Sequence, residues 1–263
     1  MKGLSMAALL AATGLVTAGT ARAADFPADK VKAVSADVDS GLIRVTGRDG
    51  DKISVSIDML KDPSACRVTT EIQDTTLVLR IKTVRKGMGM FGTSKCSANL
   101  IVQAPKGLPL DAVAGSASIE AESLSGKASL AAGSGGIRLK DVGGDLRLRT
   151  GSGSIEGEAA SGVVDALTGS GSIHLAGLRG TAQARTGSGA VSLHWERSPK
   201  DGDVKVRTGS GSVSLEFPEG TKLSASLISG SGRVANELGE SPDAKLRVSV
   251  ITGSGDATVR KAK

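Results

Sequence analysis

Tyrosine is missing altogether, and one Trp and three Phe are the only aromatic side chains in 263 residues. A membrane barrel is seated by aromatic girdles at both interfaces, so this composition argues against one. Any core must be assembled from Leu, Ile, Val and Ala, which suits thin stacked layers better than a thick globule. Histidine occurs twice, as His174 and His194, away from any Cys or carboxylate cluster, and no G-x-S-x-G elbow is present. Zinc hydrolysis and Ser-His-Asp catalysis are therefore poorly supported. Proline is sparse at 7 residues and no Gly-x-y period exists, which excludes a collagen-like chain. What is abundant is glycine, with 36 residues, about twice the usual share. A hydrophobic fraction of 39% with 23% charge fits a folded chain rather than a disordered one.

Residues 1–23 read as a secretory signal. Lys2 supplies the positive start, Leu4 to Val16 the apolar stretch, and Ala21-Arg22-Ala23 the small residues of a cleavage site. The apolar stretch is short for a bilayer span, and no Cys follows it as in a lipoprotein signal. The expectation is a periplasmic or secreted protein without a membrane span once the signal is removed. Loss of Lys2 and Arg22 leaves 31 basic residues against 27 acidic, a net charge of +4. No segment resembles a nucleic-acid-binding arm. Two cysteines remain, Cys66 and Cys96, and in an exported protein they are expected to form a disulfide.

From residue 111 onward the chain repeats. Gly-Ser-Gly begins at Gly133, Gly151, Gly169, Gly187, Gly209, Gly230 and Gly253, with Gly-Ser-Ala at Gly115. The intervals are four of 18 residues and then longer ones, the mark of a repeat architecture. With the first Gly as position 1, position 5 is Ile119, Ile137, Ile155, Ile173, Val191 or Val213, and position 7 is mostly Leu. A second alternation at positions 14 and 16 includes Leu146 with Leu148 and Ala182 with Ala184. Period-2 alternation predicts short strands with one buried face. Each unit thus reads strand, Gly-marked turn, strand, Gly-Ser-Gly turn, with glycine supplying positive φ.

An all-β, single-domain β-solenoid with two-strand coils accounts for this better than a barrel of hairpins. Small residues kept at one position make sense where they stack on their own copies. Thr150, Thr168, Thr186, Thr208 and Thr252 each precede a Gly-Ser-Gly and predict a Thr ladder. Insertions around Trp195 and Ser198–Gly202, Pro218–Gly220 and Glu240–Asp243 lengthen turns. Residues 24–110 are strand-rich, at Leu42–Thr46, Lys52–Met59, Arg67–Ile72, Leu77–Thr83 and Asn99–Gln103. They are expected to form an atypical cap continuous with the repeats of 111–263.

The run Leu100-Ile101-Val102-Gln103-Ala104-Pro105-Lys106-Gly107, followed by Leu110, Gly115 and recurring Gly-Ser-Gly-Ser-Ile/Val, resembles a bacterial β-strand-repeat family of unknown function. Its members are termed adhesins, related to head domains of auto-transporter adhesins. The resemblance spans residues 31–260, implies an exported solenoid-like domain and supplies no active site.

Other motifs carry no chemistry. Gly87-Met88-Gly89-Met90-Phe91-Gly92 matches G-x-G-x-x-G literally, but a dinucleotide fingerprint must open a helix inside a βαβ unit. Met88 and Met90 lack the further ligands that Cu(I) needs. Gly-Ser-Gly-Ser-Ile-Glu is similar to a Ca²⁺ repeat, yet its sixth position changes from Glu to Arg, His and Ser. No metal or cofactor is expected. One surface feature remains: one position reads Arg149, Leu167 and Arg185, continued by Arg207, flanked by Arg147 and Lys205, and Asp165 interrupts the row. Stacked coils would make these a basic stripe for phosphate or carboxylate groups. The expected role is non-catalytic binding or scaffolding in the cell envelope, to a polysaccharide or protein partner. The alternative is a carbohydrate-active enzyme on a β-helix, and self-association through unpaired strand edges is a further expectation.

Overall fold

The computed structural model describes residues 22–84, 96–158 and 162–262. The N-terminal strands are β1 (Arg22–Pro27), β2 (Ala33–Val38), β3 (Gly41–Arg48), β4 (Lys52–Lys61), β5 (Cys66–Gln73), β6 (Thr76–Thr83) and β7 (Ser97–Pro105). There follow β8 (Leu110–Ala114), β9 (Ser118–Leu124), β10 (Ala128–Ala132), β11 (Ile137–Val142), β12 (Leu146–Thr150), β13 (Ile155–Glu158), β14 (Val163–Thr168) and β15 (Ile173–Leu178). The last are β16 (Thr181–Ser188), β17 (Val191–Trp195), β18 (Gly202–Ser210), β19 (Val213–Phe217), β20 (Ser224–Ser231), β21 (Val234–Asn236), β22 (Leu246–Ser254) and β23 (Ala257–Lys261). Two 3-10 turns, Ala28–Lys30 and Pro63–Ala65, interrupt the strands.

Among the described residues these strands make two sheets. A twelve-stranded sheet runs β1-β4-β7-β3-β9-β11-β13-β15-β17-β19-β23-β21, and an eleven-stranded sheet runs β20-β22-β18-β16-β14-β12-β10-β8-β2-β6-β5. From β8 to β19, odd and even strands enter opposite sheets, so each unit is one coil of a β-solenoid. Register follows from the repeat. Ile137, Ile155 and Ile173 are in-register partners in one sheet, as are Leu146, Val164 and Ala182 in the other. Their 18-residue offsets are the sequence period. The two inner faces meet in one core, in which Leu130, Leu148, Ala166 and Ala184 lie buried with Ile119, Ile137, Ile155 and Ile173.

The Thr row is buried and closes the Gly-Ser-Gly turns. Thr168 Oγ1 donates to the carbonyl of Gly153 in the preceding coil at 2.9 Å and accepts from the N–H of Gly171 at 3.0 Å. Thr150, Thr186, Thr208 and Thr252 donate likewise to Gly135, Gly171, Gly189 and Gly211. Ser229 takes the same place in β20, donating to Gly255 at 2.8 Å. The Gly-Ser-Gly glycines of the regular coils, from Gly133 to Gly189, are needed for a reason other than positive φ. A Cβ on Gly153 would stand 2.1 Å from the carbonyl oxygen of Gly135, and one on Gly171 would stand 2.1 Å from that of Gly153. Close stacking of backbone on backbone, not a left-handed conformation, excludes a side chain there.

Both ends depart from sequential stacking. At the N-terminal end the β2–β3 coil lies against β8–β9, and the later β6–β7 coil lies outside it. The antiparallel strands β4, β5 and β1 then close that end. The expected signal cleavage after Ala23 falls inside β1. At the other end the last coil, β22–β23, sits between β18–β19 and β20–β21. Cys66, at the start of β5, is bonded to Cys96, just before β7, with a Cα–Cα distance of 5.0 Å, which ties one sheet to the other.

Trp195 is not part of a surface insertion. It ends β17, is fully buried, stacks on Phe217 at 4.3 Å between ring centroids and donates through Nε1 to the carbonyl of Gly180 at 2.8 Å. Sequence spacing misplaces it because β15 carries a bulge. Leu175 pairs with Leu193 but Leu178 with Trp195, across Gly177 at φ 73°.

Candidate binding face

Every second residue of a solenoid strand points outward, so each sheet presents rows of side chains running along the coil axis about 4.8 Å apart. On the twelve-stranded sheet these rows are charge-paired. Arg44 and Arg138 flank Glu120 at 2.8 and 3.7 Å, Lys140 meets Glu122 at 2.6 Å, and Arg260 bonds Glu216. Arg179 reaches Glu196 at 2.9 Å in the adjoining turns.

The eleven-stranded sheet is different. One in-register row reads Val113, Ala131, Arg149, Leu167, Arg185, Arg207, Ile251 and Ile228, from β8 through to β20. The neighbouring row holds Arg147, Asp165, Gln183 and Lys205 in register. The five basic residues of the expected stripe therefore share one outer face.

They divide by partner. Arg149 is clamped by Asp165, Nη1 to Oδ1 at 3.1 Å and Nη2 to Oδ2 at 2.5 Å. Those bonds hold the Asp165 carboxyl below the usual carboxylate range despite partial burial, with Arg185 and Arg147 adding to the effect. Asp165 thus lies beside the Arg row and neutralises one member of it. Lys205 pairs with Asp203 at 3.1 Å, which also accepts from Arg247 at 2.9 Å, and both bonds lower the Asp203 carboxyl. Arg185 Nη2 donates to the Gln183 amide oxygen at 3.3 Å. Among the described residues Arg147, Arg185 and Arg207 form no ion pair.

Arg185 and Arg207 are exposed and directly opposite each other on adjacent strands. Like charges in that position destabilise a sheet, and the other sheet of this protein avoids them. The 18-residue spacing already places Leu167 between Arg149 and Arg185 in this row, whereas its other apolar members, Val113, Ile251 and Ile228, were not read from the sequence.

The remaining candidates do not converge. His174 lies in register between Glu156 and Ser192, and His194 opposite Glu216. Among the described residues no group of His, Cys, Asp and Glu could hold a metal ion. A depression of about 430 Å³ is lined by Asp25, Phe26, Pro27, Asp29, Asp51 and Lys52 at the N-terminal end, far along the stack from the Arg row. Residues 86–92, with Met88 and Met90, lie outside the described residues, as do residues 1–21 of the expected signal. Among the described residues no helix is long and apolar enough to cross a membrane.

The coil pattern and its Gly-Ser-Gly turns have a family counterpart: residues 29–260 match the sequence profile of Toastrack DUF4097. The chain belongs to the Toastrack DUF4097 family. Toastrack accounts for both the cap and the repeats in one match. No curated protein matches the chain. Among solved structures, a "putative lipid binding protein" from Parabacteroides distasonis ATCC 8503 is 16% identical, covering 94% of this chain and 98% of that one, with a TM-score of 0.53. A "putative adhesin" from Bacteroides fragilis NCTC 9343 is 14% identical over 95% of this chain and all of the other, with a TM-score of 0.41. A "putative cell adhesion protein" from Clostridium sporogenes ATCC 15579 is 10% identical over 92% and 99%, with a TM-score of 0.30. The first of these shares the solenoid fold of this Toastrack chain.

Proposed function

We propose that this Toastrack protein is a non-catalytic binding protein of the cell envelope, and that the outer face of its eleven-stranded sheet holds phosphate or carboxylate groups of anionic envelope polymers. The observation that carries this reading is the in-register pair Arg185 and Arg207, exposed and in no ion pair among the described residues, on a sheet where acidic partners serve Arg149, Lys205 and Arg247. A guanidinium fork left open in this way suits oxyanions. A rigid scaffold fixes the spacing of the forks, so binding needs little ordering of the protein. The Cys66–Cys96 disulfide supports a compartment outside the cytoplasm, periplasmic or external.

The test is retention of the exported chain on purified anionic envelope polymers at low and high salt. Retention falls with salt, and falls again in an Arg149→Ala, Arg185→Ala, Arg207→Ala triple variant, with most of the loss present in the Arg185→Ala, Arg207→Ala double variant. Absence of retention at low salt overturns the reading.

A further inference from the structure

The exposed aliphatic side chains of this protein are not scattered. Among the described residues Val113, Val163, Leu167, Ile228 and Val234 are the exposed large ones, at 39 to 55% accessibility. Four of the five lie on the outer face of the eleven-stranded sheet, and three of those stand in the same row as Arg149, Arg185 and Arg207. Ile251, half-buried, continues that row between Arg207 and Ile228. The row crosses eight strands, about 34 Å at the usual strand spacing. Small residues lie beside it towards both ends, where Ser129, Ser226, Ser249 and Ala131 point to the same side, and Arg147, Asp165, Gln183 and Lys205 lie beside its middle.

A water-soluble polyanion uses the guanidinium groups and gains nothing from Leu167 or Ile228. A surface with phosphates above an apolar layer uses both. Arginine stems lie along apolar surface while their heads stay with the phosphates, and exposed aliphatics enter the headgroup boundary. Acidic lipids supply the opposite charge. The geometry points to an anionic lipid surface as the partner of this face, with Arg147, Arg185 and Arg207 on the lipid phosphates and Leu167, Ile228 and Ile251 against the acyl boundary. This rests on the anion-binding reading above and narrows its ligand to an anionic amphiphile presented in a bilayer.

The full chain is sedimented with vesicles of phosphatidylcholine alone and of phosphatidylcholine with phosphatidylglycerol in equal parts. In parallel it is passed over immobilised polyphosphate. The expected result is binding to the acidic vesicles and not to the neutral ones, weakened about fivefold for each of Arg185→Ala and Arg207→Ala. A Leu167→Ser, Ile228→Ser variant loses vesicle binding and keeps its retention on polyphosphate. Val234→Ser, on the twelve-stranded sheet, changes neither. Leu167 and Ile228 face outward, Val234 is exposed on the end strand β21, and an unchanged melting temperature confirms that each variant is folded. Retention on polyphosphate without binding to acidic vesicles overturns the lipid surface and leaves the anion-binding face standing. Vesicle binding unaffected by Leu167→Ser, Ile228→Ser also overturns it. Failure to bind either probe removes both readings.

Discussion

Thr168 donates its hydroxyl to the carbonyl of Gly153, fifteen residues earlier and one coil away, at 2.9 Å. The same hydroxyl accepts from Gly171 in its own turn. One side chain thus fixes both the shape of a turn and its stacking on the turn before it, and the repeat of that arrangement along the chain explains why Thr precedes Gly-Ser-Gly five times.

Thr168→Val keeps the shape and removes both bonds inside a buried row, so it should cost about 1–3 kcal/mol. Thr168→Ser retains the hydroxyl and should cost less. Urea unfolding with an unchanged slope checks both.

Gly153→Ala sets a methyl group 2.1 Å from the Gly135 carbonyl oxygen. The two backbones must separate, and the loss should reach about 3 kcal/mol or more. Gly107→Ala is the control, since a Cβ there meets nothing within 4 Å. Comparison of melting temperatures decides the point, with Gly107→Ala close to the parent.

Reducing the Cys66–Cys96 bond opens a loop of 30 residues, worth about 3–4 kcal/mol in the chain-entropy account. Cys66→Ala, Cys96→Ala should lower the denaturant midpoint by a corresponding amount. It should leave retention on anions unchanged in the folded state, because the Arg row lies several coils away.

The Arg149–Asp165 clamp makes the face sensitive to acid. The Asp165 carboxyl is held low, chiefly by its hydrogen bonds to Arg149. Its contribution to stability is therefore present above the unfolded carboxylate value of about 3.9 and is lost as pH falls through the lower folded value. The same protonation releases Arg149. Asp165→Asn should raise retention on polyphosphate at neutral pH severalfold, at some cost in stability, and should leave a smaller rise on acidification, the part that Asp203 contributes by releasing Lys205 and Arg247. Retention measured across a pH series on both proteins checks the sign.

Much of the fold was legible because the side-chain period and the coil period are both written in the sequence. Ile137, Ile155 and Ile173 announce the register, and the Thr row announces its own stacking. The ends were not legible. Which coil lies beside β18–β19 depends on how β22–β23 fills the gap beneath β20–β21, and no repeat marks that choice. In the cap, β1, β2 and β8 escaped notice, whereas the strands now seen as β3 to β7 were expected within a few residues. The basic residues of the face were found by spacing alone. Their division was not, because Asp165 reaches Arg149 diagonally from the next strand, and only coordinates show a fork closed by a carboxylate. Trp195 was misread because a single bulged residue at Gly177 shifts the period by one.

The central claim is that one face, and not net charge, binds anions. Retention on immobilised polyphosphate should be measured for Arg185→Ala, Arg207→Ala and for Arg138→Ala, Arg260→Ala, which remove the same charge from opposite sheets. The account predicts at least about a tenfold loss for the first pair, from two charge-assisted contacts, and little change for the second. Equal losses for the two pairs would contradict it.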